Sequence, residues 1–186
     1  MSVSPSSMIT LAWAGWAVSW LVAARWTRRT SARAGAAELP SRLVSLVGGV
    51  LLFTPTHGFS IGPEWDVSDA TAWAMFGVLA AGVAFAWWAR IHLGTLWSGS
   101  VTRKTDHRVV DTGPYALVRH PIYTGILGGA LATAIARGET GALVGALLLC
   151  VWMKARLEER FLSEELGPEY AAYRARVPMI VPFLRF

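Results

Sequence analysis

Three stretches of this chain, Met8 to Ala24, Leu43 to Ile61 and Ala70 to Ala89, run for 17 to 20 residues without an Asp, Glu, Lys or Arg. No other feature constrains the fold as strongly, because an apolar run of about 20 residues is the length that crosses the hydrocarbon layer of a bilayer as a helix. The alternative, a soluble domain with three buried helices, meets a volume problem. With 54% hydrophobic residues and ten tryptophans in 186 positions, the chain has more apolar side chains than an interior of that size can hide. An all-α integral membrane protein is therefore expected.

Two shorter uncharged runs follow, Ile122 to Ala136 and Gly141 to Met153, separated by Arg137, Gly138, Glu139 and Thr140. They predict a tight helical hairpin, giving about five transmembrane helices in all. A 13-residue core rises only about 20 Å against a layer of about 30 Å, so the hairpin either spans with little tilt, thins the bilayer or re-enters on one side. Gly125 and Gly129, and again Gly141 and Gly145, are spaced for close backbone contact between the two arms; glycine is also simply common in membrane helices.

The basic residues show which ends lie together. Sixteen of the 17 Lys and Arg fall in Arg25 to Arg42, Arg90 to Arg119 and Lys154 onward, leaving Arg137 alone on the other side, where HGFSIGPEWDVSD carries three acids. By the positive-inside rule this predicts a multi-pass cell-membrane protein, N-terminus outside and C-terminus cytoplasmic. The net charge of +5 has the same origin. It forms no basic stripe with interleaved aromatics, so nucleic acid is not an expected partner. One cysteine, Cys150 inside GALLLCVWM, excludes an internal disulfide and a cysteine-built zinc site, and no metal is expected. Nothing positive precedes the first apolar run, so no signal peptide is expected.

Polar chemistry concentrates in two blocks that the hairpin returns to one side: LWSGSVTRKTDHRVVDTGPYALVRHPIY before it and KARLEERFLSEELGPEYAAYRARVP after it. Pro121 suits the first turn of a helix and biases His120 toward an extended backbone. Arg119 and Tyr123 are also what an interfacial belt uses, the arginine reaching phosphates. Lys154 and Glu158 share a helix face, and Glu158 with Glu159 also suits a solvated, salt-bridged helix end. The closing VPMIVPFLRF, broken by Pro178 and Pro182, is expected to dip back to the membrane surface. Dinucleotide, P-loop and G-x-S-x-G motifs are absent from the sequence.

The run DHRVVDTGPYALVRHPIYTG, an apolar hairpin, then LEERFLSEELGPEYAAYRARVP resembles the isoprenylcysteine carboxyl methyltransferase family, with phospholipid N-methyltransferases as more distant relatives. The resemblance covers Leu93 to Pro182. It implies a single methyltransferase domain over 1–186, with 1–92 as a three-helix scaffold and 93–186 as the cofactor and substrate region. S-adenosyl-L-methionine would bind in a pocket facing the cytoplasm, and a lipophilic or lipid-anchored acceptor would enter from the bilayer. His107, Arg108, Val109, Val110 and Tyr115 would hold the adenosine part, with His120 and Tyr123 as the adjoining wall. Gly128, Gly129, Ala130 and Leu131 align with a further cofactor-contacting stretch. Glu158 aligns with a glutamate that binds the cofactor through its amino group or ribose hydroxyls. Lys154 stands where prenylcysteine enzymes carry a substrate-binding arginine; it keeps the charge but loses the bidentate fork. No general base is assigned. Carboxyl O-methylation leads, ahead of amine N-methylation. The rivals are a nicotinamide-dependent membrane sterol or isoprenoid reductase and a non-catalytic scaffold. Oligomeric state is left open.

Overall fold

The computed structural model describes residues 4–26, 30–33, 39–53, 63–97, 102–104 and 109–184, with backbone alone at 30–33, 41, 102–104 and 141–154. Five α-helices follow in order among them: α1 Pro5–Ala23, α2 Leu39–Phe53, α3 Asp69–Leu93, α4 Pro121–Arg137 and α5 Gly141–Arg176. Helices Pro5–Ala23 and Asp69–Leu96, the latter including a short 3-10 turn, are long and apolar enough to cross a membrane. The apolar part of α2, Arg42–Phe53, is shorter; the rest of the predicted second segment, 54–61, lies outside the described residues.

Local signals set the helix ends. Ser4 and Ser68 cap α1 and α3, each side-chain oxygen accepting a backbone N–H at 3.2 Å. Pro121 opens α4, and Gly138, in the left-handed conformation at φ 68°, ends it. Only Gly138 to Thr140 separate α4 from α5, the tight hairpin expected.

The packing of that hairpin differs from expectation. Among the described residues the nearest neighbours of Gly125 and Gly129 lie on α3 and α1, while the side chains of α5 near Gly141 and Gly145 lie outside those described. A Cβ added at Gly82 would stand 2.6 Å from the carbonyl oxygen of Gly125, and one at Gly125 would clash in turn with Gly82 and Ala86. Gly129 sits against Leu79 and Trp13. The two backbones thus approach antiparallel, in a manner open only to residues without side chains. Helix α5 packs instead along α2. Beneath the glycine contact lies a core of Ile9, Trp13, Leu52, Leu79, Ala130, Ala132 and Ala134. Trp13 Nε1 donates to Thr133 Oγ1 at 2.9 Å, which satisfies the one polar atom of the indole in that interior.

A two-stranded antiparallel ribbon, β1 Thr30–Arg33 with β2 Thr102–Lys104, is an addition to the all-helical expectation. It joins the first basic loop to the second, so both lie at one end of the molecule. At the opposite end the Trp65 N–H donates to the Gly138 carbonyl at 3.0 Å, seating the acidic loop on the hairpin tip. The separation of basic from acidic loops inferred from charge is thus also a separation in space.

Arg90 closes the basic end. Its fully buried guanidinium lies 4.3 Å from the Trp97 ring centroid and donates to the carbonyls of Ala23, Trp26 and Gly94 at 2.8 Å each. One side chain thereby ties together the C-terminal ends of α1 and α3, where helix dipoles favour a cation.

Overpacking should be site-specific on α4. Gly125→Leu is expected to destabilise the fold by about 1–3 kcal/mol or more, whereas Gly128→Leu, whose Cβ meets nothing within 4 Å, should leave it nearly unchanged. Thermal unfolding of both variants in detergent checks the pair.

Candidate functional site

The two polar blocks meet where α4 begins and α5 leaves the apolar region. At the N-terminus of α4, Pro121 leaves His120 with φ −123° and ψ 62°, a conformation that is neither helical nor fully extended, and it turns the imidazole toward α5. There Glu158 and Glu159 receive it. His120 Nε2 lies 2.9 Å from Glu159 Oε1, and Nδ1 lies 3.5 Å from Glu158 Oε2. An imidazole with carboxylates at both nitrogens satisfies both only as the doubly protonated cation.

Glu159 is the centre of the cluster. Arg119 grips it with Nε at 2.9 Å from Oε1 and Nη2 at 3.1 Å from Oε2, the paired geometry in which arginine binds carboxylates most strongly. The Tyr170 hydroxyl donates to Oε1 at 2.7 Å, and Arg174 Nε lies 3.4 Å from Oε2. Tyr170 reaches back because α5 is broken at Gly167, φ 51°, immediately before Pro168. That backbone conformation strongly favours glycine. Tyr173, one turn on, donates to the Tyr115 carbonyl at 2.7 Å.

Charge states follow from these contacts. Burial penalises the Glu159 carboxylate, but hydrogen bonds from His120 and Arg119 outweigh it and hold its pKa down to about 2. Burial likewise opposes the His120 cation, and the bonds and charges of Glu158 and Glu159 overcome it, raising its pKa above the ordinary histidine value. Tyr115, Tyr170 and Tyr173 are pushed up, chiefly by burial, and remain phenols.

The more open half of the site is built on Glu158, whose side chain keeps 23% of its exposure. The Tyr123 hydroxyl donates to Glu158 Oε1 at 2.6 Å, and the Tyr123 ring stacks on His120 at 5.6 Å. Tyr115 is buried and lies parallel to the His92 ring at 6.3 Å, while His92 Nε2 bonds Thr112 Oγ1 at 2.8 Å. Val109 and Val110 are half-buried, Val109 against the Tyr170, Tyr173 and Val177 cluster.

The structure therefore brings His120, Tyr123 and Glu158 together, with Tyr115 and Val109 joined to the same cluster through Tyr173. His107 and Arg108 lie outside the described residues, as does the side chain of Lys154, whose backbone precedes Glu158 by one helical turn. The four aligned residues of α4 divide between its faces. Gly129 and Ala130 point into the packing with α1 and α3 and are not brought to this site, because the close α3 contact claims their side of the helix. Gly128 and half-exposed Leu131 lie on the open side.

Arg119 requires correction: it serves Glu159 and the backbone after α5, not lipid phosphates. Sequence reasoning also passed over Glu159 as half of a solvated pair. The signal was weak, since at about 100° per residue Glu159 lies about 40° and Glu158 about 60° from the centre of the Ala155, Leu162 and Leu166 stripe of α5. His92 had no comparable signal; its contact to Thr112 spans 20 residues.

Comparison with known proteins gives a consistent picture. The sequence model of the isoprenylcysteine carboxyl methyltransferase (ICMT) family matches residues 74–166. A protein-S-isoprenylcysteine O-methyltransferase of Schizosaccharomyces pombe is 36% identical over 85 residues, 44% of this chain and 36% of the yeast protein. Methanethiol S-methyltransferase 2 of Bradyrhizobium diazoefficiens is 33% identical over 133 residues, 66% of this chain and 51% of the relative. The chain thus spans about a third to a half of the length of these relatives. In fold it is similar to the eukaryotic intramembrane Ras methyltransferase ICMT, with a TM-score of 0.56 at 22% identity over 77% of this chain and 52% of that one.

The ion-pair cluster should leave a pH signature. A carboxyl held down to about 2 adds stability above its unfolded value near 4.5 and loses it as pH falls toward 2. A histidine held up adds stability that is complete below 6.5 and lost as pH rises through its folded value. Melting temperature in detergent is expected to fall on both sides of this window, and His120→Gln should flatten the alkaline limb and also shrink the acid limb, which then rests on Arg119 and Tyr170. Glu159→Ala, which strands Arg119 and His120, should cost about 3–5 kcal/mol in the same assay.

Proposed function

Because this chain belongs to the isoprenylcysteine carboxyl methyltransferase family, we propose that it is an integral-membrane methyltransferase using S-adenosyl-L-methionine on a lipophilic acceptor. The observation that carries the reading is the Tyr123–Glu158–His120 contact, which joins the two sequence blocks of the family resemblance across the α4–α5 hairpin. S-adenosyl-L-methionine supplies an electrophilic methyl group on a positively charged sulfur.

The residues present suit such a group. A sulfonium, an ammonium and a flat base call for a carboxylate and aromatic faces, and the site offers partly exposed Glu158 beside the rings of Tyr123 and His120, with Tyr115 joined to the same cluster. Glu158 would hold the amino group or ribose hydroxyls. Val109, Val110 and Tyr115, with His107 and Arg108, would take the adenosine part, and Gly128 and Leu131 the open face of α4. Glu159 is not a ligand in this scheme. Its lone pairs are committed to Arg119, His120 and Tyr170, so it fixes the wall without touching the cofactor.

A carboxylate is the leading acceptor. His120 is a donor at both nitrogens and is occupied by the glutamates, which makes it a poor proton acceptor; an acceptor that arrives ionised needs none. Rate enhancement would then come from holding the partners in line and excluding water. Lys154 supplies a charge for such a carboxylate without the directional fork of an arginine. A small thiol is the second reading, favoured by the methanethiol enzyme's match to 66% of this chain, which reaches beyond the matched length of the yeast enzyme. In the membrane the basic end, with the site, faces the cytoplasm and the acidic loop faces out, giving five crossings.

Membranes incubated with methyl-labelled S-adenosyl-L-methionine test the acceptor class. Label released by mild base identifies an ester, label retained identifies an amine, and label volatile without base identifies a methylated thiol. Purified protein that bound NADPH and not S-adenosyl-L-methionine would overturn the reading altogether. Glu158→Gln is expected to weaken cofactor binding by about 10- to 100-fold, the worth of one charge-assisted hydrogen bond, with folding intact by circular dichroism.

A further inference from the structure

Beyond α5 the chain forms a strap across the start of α4. The Val177 carbonyl accepts from Arg119 Nη1, and those of Pro178 and Met179 accept the backbone N–H groups of Arg119 and His120 at 2.8 and 3.0 Å. The Ile180 carbonyl then accepts from Thr124 Oγ1 at 2.6 Å. These contacts climb in order from residue 119 to residue 124. The strap therefore travels with α4, away from the polar cluster and toward the level where Gly125 meets Gly82 of α3, a helix long and apolar enough to span a membrane.

Val177 and Met179 are buried under this strap, but its tip is not. Val181 is 45%, Leu184 49% and Phe183 96% exposed, and Phe183 holds a left-handed φ of 69°, unfavourable for a side chain of its size. In water such an arrangement would carry two penalties, backbone strain and a bare aromatic ring, with nothing to offset them. No charged residue occurs from Val177 to Leu184, and half-exposed or more open arginines, Arg174 and Arg176, lie just before the strap. Basic residues followed by an apolar tip at helix-entrance depth match the interface of a bilayer containing anionic lipid.

We propose that the tip formed by Val181, Phe183 and Leu184 is buried among phospholipid acyl chains, and that this lipid contact keeps the strap seated on Arg119 and His120. The bilayer would then act as a structural partner of the site, holding its wall from the side opposite Glu159. The inference rests on the reading of the chain as a membrane protein but not on methyl transfer, and its test needs no cofactor.

The protein is reconstituted in nanodiscs of phosphatidylcholine and phosphatidylglycerol, and a nitroxide is attached at Phe183→Cys in a Cys150→Ala background. Collision with oxygen is expected to exceed collision with a water-soluble nickel chelate at this position, and the reverse is expected for a label at Asp66→Cys. A label at 183 open to nickel, or shielded from both reagents as by a second copy of the chain, would overturn the proposal. For the latch itself, hydrogen exchange is followed at the Arg119 and His120 amides, whose acceptors are strap carbonyls. Phe183→Ser, a change at an exposed position, should speed their exchange severalfold in nanodiscs; unchanged exchange would show that lipid does not hold the strap.

Discussion

A carboxylate taken out of water must be surrounded by donors or it will not stay charged, and in this protein the carboxylate is that of Glu159. Arg119 and His120 from the turn before α4, and Tyr170 from beyond Gly167, converge on its two oxygens, so that with Glu159 itself three parts of the chain meet. Leaving any of them out would strand a buried charge, so the three segments are positioned together or not at all. The turn before α4, the first part of α5 and the helical piece beyond Gly167 are in this way held as one unit. The arrangement of Glu158, Tyr123 and the His120 ring is a consequence, since His120 is held on one side by Glu159 and presents its other nitrogen to Glu158.

Below this cluster the packing is of a different kind. The close antiparallel contact of Gly82 with Gly125 leaves no place for a polar group, and the adjoining core is isoleucine, alanine, leucine and tryptophan, where Trp13 donates to Thr133 and Thr133 in turn to the Gly129 carbonyl. Its geometry is set by shape, the cluster's by charge. The two meet at Pro121, where the backbone changes from the open conformation of His120 to the α4 helix. A helix closely packed on α3 gives His120 and Tyr123 a fixed base, as the proposed methyl transfer by positioning would require.

Much of this was legible in the order of residues. The uncharged lengths located the helices, Pro121 and Gly138 marked both ends of α4, and the distribution of arginine separated the two ends of the molecule that the ribbon and the Trp65 contact also separate. That His120, Tyr123 and Glu158 lie near one another was legible because their motifs fall on either side of a short hairpin. Less visible was the division of labour between adjacent glutamates. Adjacent residues of a helix point about 100° apart, so Glu158 and Glu159 face different surroundings, and only the apolar neighbours of Glu159 hinted at which one was buried.

The sequence by itself determined the elements that depend on neighbours along the chain: apolar length, caps, breaks and the side on which charge collects. Tertiary structure alone decided partner choice. Gly125 and Gly129 are equally fit to meet α3 or α5, and Arg119 equally fit to meet a phosphate or a carboxylate, because a small face or a guanidinium is complementary to many surfaces. Which surface is present is settled by how five helices pack at once, through contacts between residues as far apart in sequence as Trp13 and Thr133.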